Sequence, residues 1–188
     1  MKIIFTDYLT DYNAYSLKDK LKLSNFGTVK LLKRLENDNL LTSKKMGNAT
    51  FYKLNVGNEY AIKLLELSFM EHNELPTYVK GWLHDLTHFE EDSKTVLLFG
   101  SVLSKGKKAK DIDVCFVLES HNNYKKVQAK INKLNEKSRQ KIHPLFLTED
   151  DFENKLVEKD MPVIDIIRSC LVVCGQELFI RVIKNVQN

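Results

Sequence analysis

Apolar positions recur along this chain with two different periods, and the switches between them mark out the elements. Leu17 and Leu21 stand four apart in the stretch 17–23, behind Ser16 as a candidate cap, which predicts a short helix. The run 24–27, Ser-Asn-Phe-Gly, breaks that pattern, and Ser24 or Asn25 can cap a second helix reaching about Asn39. Val29, Leu32 and Leu35 form its apolar stripe, widened by Leu31, while Thr28, Lys30, Lys33 and Arg34 fall largely off it. Residues 40–45 and 50–55 then read as short strands around a Gly/Asn turn, a hairpin. From Asn58 to about Glu91 the pattern is mostly helical. Pro76 separates an apolar stretch (Ile62 to Met70) from a helix holding Val79, Trp82, Leu83 and Leu86.

The second half of the chain has a different texture. Residues 95–99 form a continuous apolar run and predict a buried strand. Gly100-Ser101 follows, then a nine-residue loop, 102–110, carrying four lysines. A second apolar strand runs over 111–118 and opens with Asp111 and Asp113. Residues 122–139 read as a Lys-rich amphipathic helix with Val127, Ile131 and Leu134 on one face. Residues 142–148 read as a third strand. Another helix opens at Glu149, and a further one spans Pro162 to Val173 before Gly175.

Composition narrows the class. The chain has 188 residues, 43% hydrophobic and 29% charged, which fits a folded globular protein and excludes a disordered one. No apolar run approaches the roughly 18 residues of a membrane span, and an acid at Asp7 comes too early for a signal peptide, so a cytoplasmic protein without membrane partners is expected. Three cysteines without a CxxC pair read as buried free thiols. The net charge of +4 is uneven: residues 1–60 hold ten Lys/Arg against six Asp/Glu, and residues 61–188 hold nineteen of each. A basic first third on a neutral remainder points to two modules, the first facing a polyanion.

Two short helices, a turn and a basic hairpin over 1–60 resemble the winged helix-turn-helix domains of bacterial and archaeal transcription regulators. The stretch "LLKRLENDNLLTSKKMGNATFYKLN", residues 31–55, carries the likeness. Asn39 stands where those families usually have Gly, and Asn tolerates the left-handed backbone needed there. The resemblance implies base-edge contacts from Asn25, Phe26, Thr28 and Lys30, and phosphate contacts from Lys33, Arg34, Lys44, Lys45 and Lys53. It also makes a homodimer on DNA a reasonable expectation.

Chemistry, if present, lies further on. Residues i and i+2 of a strand share a face, so Asp111 and Asp113 project together and can hold Mg²⁺ (or Mn²⁺) through hard oxygen ligands. Gly100 lets a triphosphate approach the backbone. Ser101 offers a hydroxyl and an N–H to phosphate, and Lys107 belongs to the Lys-rich loop that would neutralise its charge. Strand, Gly-Ser, loop, Asp-x-Asp and apolar strand, in that order, resemble the nucleotidyltransferase superfamily that includes DNA polymerase beta, closest to its minimal prokaryotic members. The likeness covers about 80–188. It implies Asp111 and Asp113 as catalytic metal ligands and Gly100, Ser101 and Lys107 as the nucleotide-binding set. Active members place a third carboxylate on the third strand, and here His143 sits roughly at that place, able to act as a base. His84 and His88, in His-Asp-Leu-Thr-His, have the helical spacing of a metal pair, but Asp85 replaces the zinc-protease Glu and no third ligand is evident.

The expected fold is therefore α+β. A winged helix-turn-helix spans 1–60, a helical connector 61–92, and a nucleotidyltransferase-like small mixed sheet with flanking helices 93–188. The expected function is transfer of a nucleoside monophosphate from an NTP with Mg²⁺ to a hydroxyl. The alternative is a DNA-binding regulator, or an antitoxin-type module with a toxin-type protein partner, whose transferase-like domain is degenerate and only binds a nucleotide or a partner.

Overall fold

A computed structural model describes residues 1–72 and 74–187. Asn73 and Asn188, within the ranges 61–92 and 93–188 read above, lie outside the described residues. The chain is mixed α+β with two small sheets and divides into two compact units after Ser68. The first unit contains α1 (Lys2–Thr6), β1 (Tyr12–Asn13), α2 (Ala14–Leu21), α3 (Asn25–Asn37), β2 (Leu41–Met46) and β3 (Ala49–Leu54). Helix α4 (Glu59–Met70) carries the division. The second contains α5 (Thr77–Thr87), β4 (Thr95–Phe99), α6 (Ser101–Lys105), β5 (Asp111–Leu118), α7 (Tyr124–Lys137), β6 (Lys141–Thr148), α8 (Glu149–Val157), α9 (Met161–Ser169), β7 (Leu171–Cys174) and α10 (Gln176–Asn185).

In the first unit the three strands pair antiparallel in the order β1-β3-β2. The cap of α2 is Asn13, not Ser16. Asn13 accepts from the Ser16 amide at 2.9 Å and Ser16 Oγ accepts from the Asn13 amide at 3.0 Å, a reciprocal box that moves the helix start back to Ala14. Ser24 caps α3, accepting from the Gly27 amide at 3.1 Å. The far end of α3 closes with Asn39 at φ +59. Leu40 N–H donates to Leu35 O at 2.8 Å and Asn39 N–H to Glu36 O at 2.9 Å, the paired bonds of a left-handed helix stop. Asn55 and Asn58 side-chain amides donate to Asn39 O, at 3.0 and 2.9 Å, and fix that stop to the end of β3. Phe5, Tyr12, Leu17, Leu32, Leu41, Tyr52 and Leu54 are among the buried side chains of this unit.

In the second unit the strand order is β6-β5-β4-β7. β4 pairs antiparallel with both β5 and β7, while β5 and β6 run parallel, joined through α7. Along β5, Ile112, Val114, Phe116 and Leu118 enter a core with Val79, Trp82, Leu83 and Leu86 of α5 and Val127 and Ile131 of α7. The pleat turns Asp111, Asp113, Cys115 and Val117 to the other face. Helix α5 thus supplies core to the second unit. Two expectations are corrected. Residues 102–110 are not an open loop: α6 and a 3-10 turn at Gly106–Lys108 occupy most of them. The helix expected to run to Val173 stops at Ser169, and Leu171–Cys174 extends as an edge strand on β4.

Candidate functional site

The site grows from the end of β4. Phe99 pairs with Asp113, so the next residue, Gly100, lies beside that carboxylate. Gly100 has φ +78 and ψ −155, a backbone region essentially reserved for glycine. A Cβ there would collide with the Asp113 carboxylate, so the close approach and the backbone turn both require glycine. Ser101 opens α6 immediately afterwards and is half-buried.

The parallel register of β5 and β6 brings in the third group. Asp113 pairs with His143, and His143 Nδ1 stands 3.4 Å from Asp113 Oδ1. Asp113 is mostly buried at 23% exposure, whereas His143 is 77% exposed. Asp111 is exposed at the strand start, on the same face. Lys141, the register partner of Asp111, turns away: its Nζ donates to the carbonyls of Asn135 and Ser138 at the end of α7, where a cation is favourable. Among the described residues no lysine or arginine forms an ion pair with Asp111 or Asp113. Nor do three His, Cys, Asp or Glu side chains converge as a metal-holding group.

Lys107 is not brought to this cluster. Its Nζ lies 6.0 Å from the Tyr78 ring, on the α5 side of the sheet, because the 3-10 turn folds that way. His84 and His88 meet edge to face, with ring centroids 5.7 Å apart, on an exposed stretch at the end of α5, without a third ligand beside them among the described residues.

The basic residues of the first unit divide as well. Asn25, Phe26, Lys30, Lys33 and Arg34 are exposed on α3, with Phe26 79% exposed despite its apolar ring. Thr28 is the correction here. It is fully buried and its Oγ1 donates to Ser24 O at 3.0 Å, so the helix stripe has absorbed it and it has no path to a base edge. On the hairpin, Thr42 pairs with Lys53 and Lys44 with Phe51, which puts Lys44 and Lys53 on one face and Lys45 on the other. Ser43, on the Lys45 face, donates to Glu36 of α3, so Lys45 shares the α3 side. A groove of about 290 Å³ there is lined by Asn25, Lys33, Asn48 and Tyr15, among others. Tyr15, 71% exposed, is a surface aromatic that no periodic pattern singles out.

The three cysteines are free thiols, Cys115 and Cys174 buried and Cys170 partly so. Burial pushes the Cys115 thiol up to about 12 and Cys174 to about 11, and holds Cys170 protonated as well. Among the described residues no helix is long and apolar enough to cross a membrane. Comparisons with family models, with curated proteins and with solved structures find no match for this chain.

Proposed function

We propose that the second unit is a nucleotidyltransferase-type domain and the first a winged helix that binds DNA. One observation carries the first half: two carboxylates on one strand face, one of them seated against a glycine whose backbone no other residue adopts readily, with no lysine or arginine paired with them among the described residues. A protein that leaves paired acids uncompensated has room there for a cation from solution. Asp111 and Asp113 fit Mg²⁺ (or Mn²⁺) as hard oxygen ligands. Bound there, the metal supplies charge neutralisation for the phosphates. Gly100 allows the triphosphate close to the backbone, and Ser101 offers it a hydroxyl. His143, held through Nδ1 by Asp113, takes the proton of an attacking hydroxyl at Nε2. The new bond forms from that oxygen to the α-phosphorus as the bond to pyrophosphate breaks.

Calorimetric titration of Mg·ATP, then the other NTPs, into wild type and Asp111→Asn/Asp113→Asn tests this. Binding is expected in wild type and weakened by at least about tenfold in the double variant. A wild type that binds no nucleotide sinks the reading. A second reading is a DNA-binding regulator or antitoxin-type module whose transferase-like domain is inert. It is favoured by the imidazole of His143 where active members carry a third carboxylate, since imidazole is a poor partner for Mg²⁺. In both readings Lys33→Ala and Arg34→Ala weaken DNA binding, and each lowers the slope of log affinity against log salt by about 0.9, one phosphate fewer being neutralised. An unchanged slope removes these residues from the interface.

A further inference from the structure

A cavity of about 440 Å³ lies on the α5 side of the sheet, away from the face of Asp111 and Asp113. Tyr78, Gly81, Trp82 and Asp85 line it from α5, at spacing i, i+3, i+4, i+7, one stripe of that helix. Lys107 and Arg139 line it from two turns. The side-chain amide of Gln140 donates to Ala109 O and ties those two turns together, so the exposed Lys107 and Arg139 stand on neighbouring segments at one side of the cavity. Neither cation has an ion-pair partner among the described residues, while Asp85 offsets one of the two charges.

Gly81 is the residue without an internal explanation. It sits in the interior of α5, where glycine costs about 1 kcal/mol relative to alanine. A Cβ there would meet no atom within 4 Å, so neither packing nor backbone conformation demands its absence. The missing side chain leaves open space along the α5 stripe between Tyr78 and Asp85. A floor opened beside an aromatic wall and facing two cations suits a flat ring that carries a negative group.

We propose that this cavity binds a small planar aromatic anion, the chemistry of a mononucleotide. It lies with its ring over Gly81 against Tyr78 and its anionic group toward Lys107 and Arg139. The site is separate from the Asp111/Asp113 cluster and does not rest on the transferase reading.

Trp82 is the single tryptophan of the chain, so intrinsic fluorescence reports on this cavity directly. The experiment titrates AMP into the full chain in excess EDTA, which silences any metal-dependent site. A saturable change in Trp82 emission is expected. Lys107→Ala/Arg139→Ala weakens binding about tenfold or more, as removal of charge-assisted hydrogen bonds to a phosphate does. Gly81→Leu fills the floor and abolishes the change while favouring the helix, so loss of folding does not explain that result. Adenosine binds about tenfold more weakly than AMP, and inorganic phosphate alone leaves the emission unchanged. No saturable change with AMP overturns the proposal, as does a change that survives Gly81→Leu and the double alanine variant. Adenosine equal to AMP, or phosphate reproducing the signal, also overturns it.

Discussion

Asp113 and Asp92 lie at opposite ends of the same sheet and are treated in opposite ways. Asp92, just before β4, is buried, and two lysines of α7, Lys126 and Lys130, form ion pairs with it. Those contacts hold its carboxyl below the usual carboxylate range. Asp113, on β5 opposite the last residue of β4, has an exposed imidazole at 3.4 Å and, among the described residues, no ammonium or guanidinium paired with it, although lysines stand at 105, 107, 108 and 110. The chain has 29 Lys and Arg in all, so the difference is one of placement and not of supply. A carboxylate that serves the fold is neutralised by the fold. One left uncompensated on a built ledge is open to a cation or proton from outside.

Stability measurements can break this comparison. The largest effect is expected from Gly100→Ala, about 3 kcal/mol by urea denaturation, because it combines a forbidden backbone region with displacement of the Asp113 carboxylate. A cost below about 1 kcal/mol would mean that the ledge is not tight. Asp92→Ala comes next, at about 2 kcal/mol, since it removes a buried carboxylate and the two charge-assisted contacts it makes with α7.

The acid limb is smaller. The carboxyls of Asp92 and Asp151 are both lowered, the first by Lys126 and Lys130, the second by the Thr148 amide and hydroxyl that complete the cap of α8. Their stabilisation is therefore complete above the unfolded value near 4 and declines as pH falls through the lower folded values. Urea midpoints are expected to be flat in this contribution from about pH 7 to about 4 and to drop below it. Asp92→Asn should make that drop shallower, and an unchanged drop would assign it elsewhere. The smallest effect belongs to Asp111→Asn/Asp113→Asn, within about 0.5 kcal/mol, because no lysine or arginine pair is broken, the His143 contact is exposed, and a like-charge pair is relieved. A large fall in stability would class these acids with Asp92.

Much of the fold is legible in the sequence, and the failures have identifiable causes. Continuous apolar runs mark β4 and β5, and the i, i+3 stripe marks α3. The order Gly100, Asp111, Asp113, His143 is visible in the chain, but their convergence needs the register of β5 on β6, which no local pattern encodes. β7 is hidden because apolar residues continue on both sides of Arg168-Ser169, from Ile166-Ile167 to Leu171-Val172-Val173, and periodicity does not separate so short a buried strand from the end of a helix. Neither α1 nor the two-residue β1 is long enough to carry a period. Thr28 looks polar and available, yet its hydroxyl is satisfied within its own helix. Nearness in sequence puts Lys107 with the acids, and the 3-10 turn carries it to the other side of the sheet.

The position of β6 has one more consequence. It is an outer strand, and Pro144 sits within it, directly after His143. A proline has no N–H to offer, so a foreign strand laid along β6 finds an interrupted ladder, with the charged Lys141 at its start. The other outer strand, β7, is only four residues long. Both edges are thus poor templates for main-chain pairing between copies, and protection against edge-to-edge aggregation is written next to the imidazole itself.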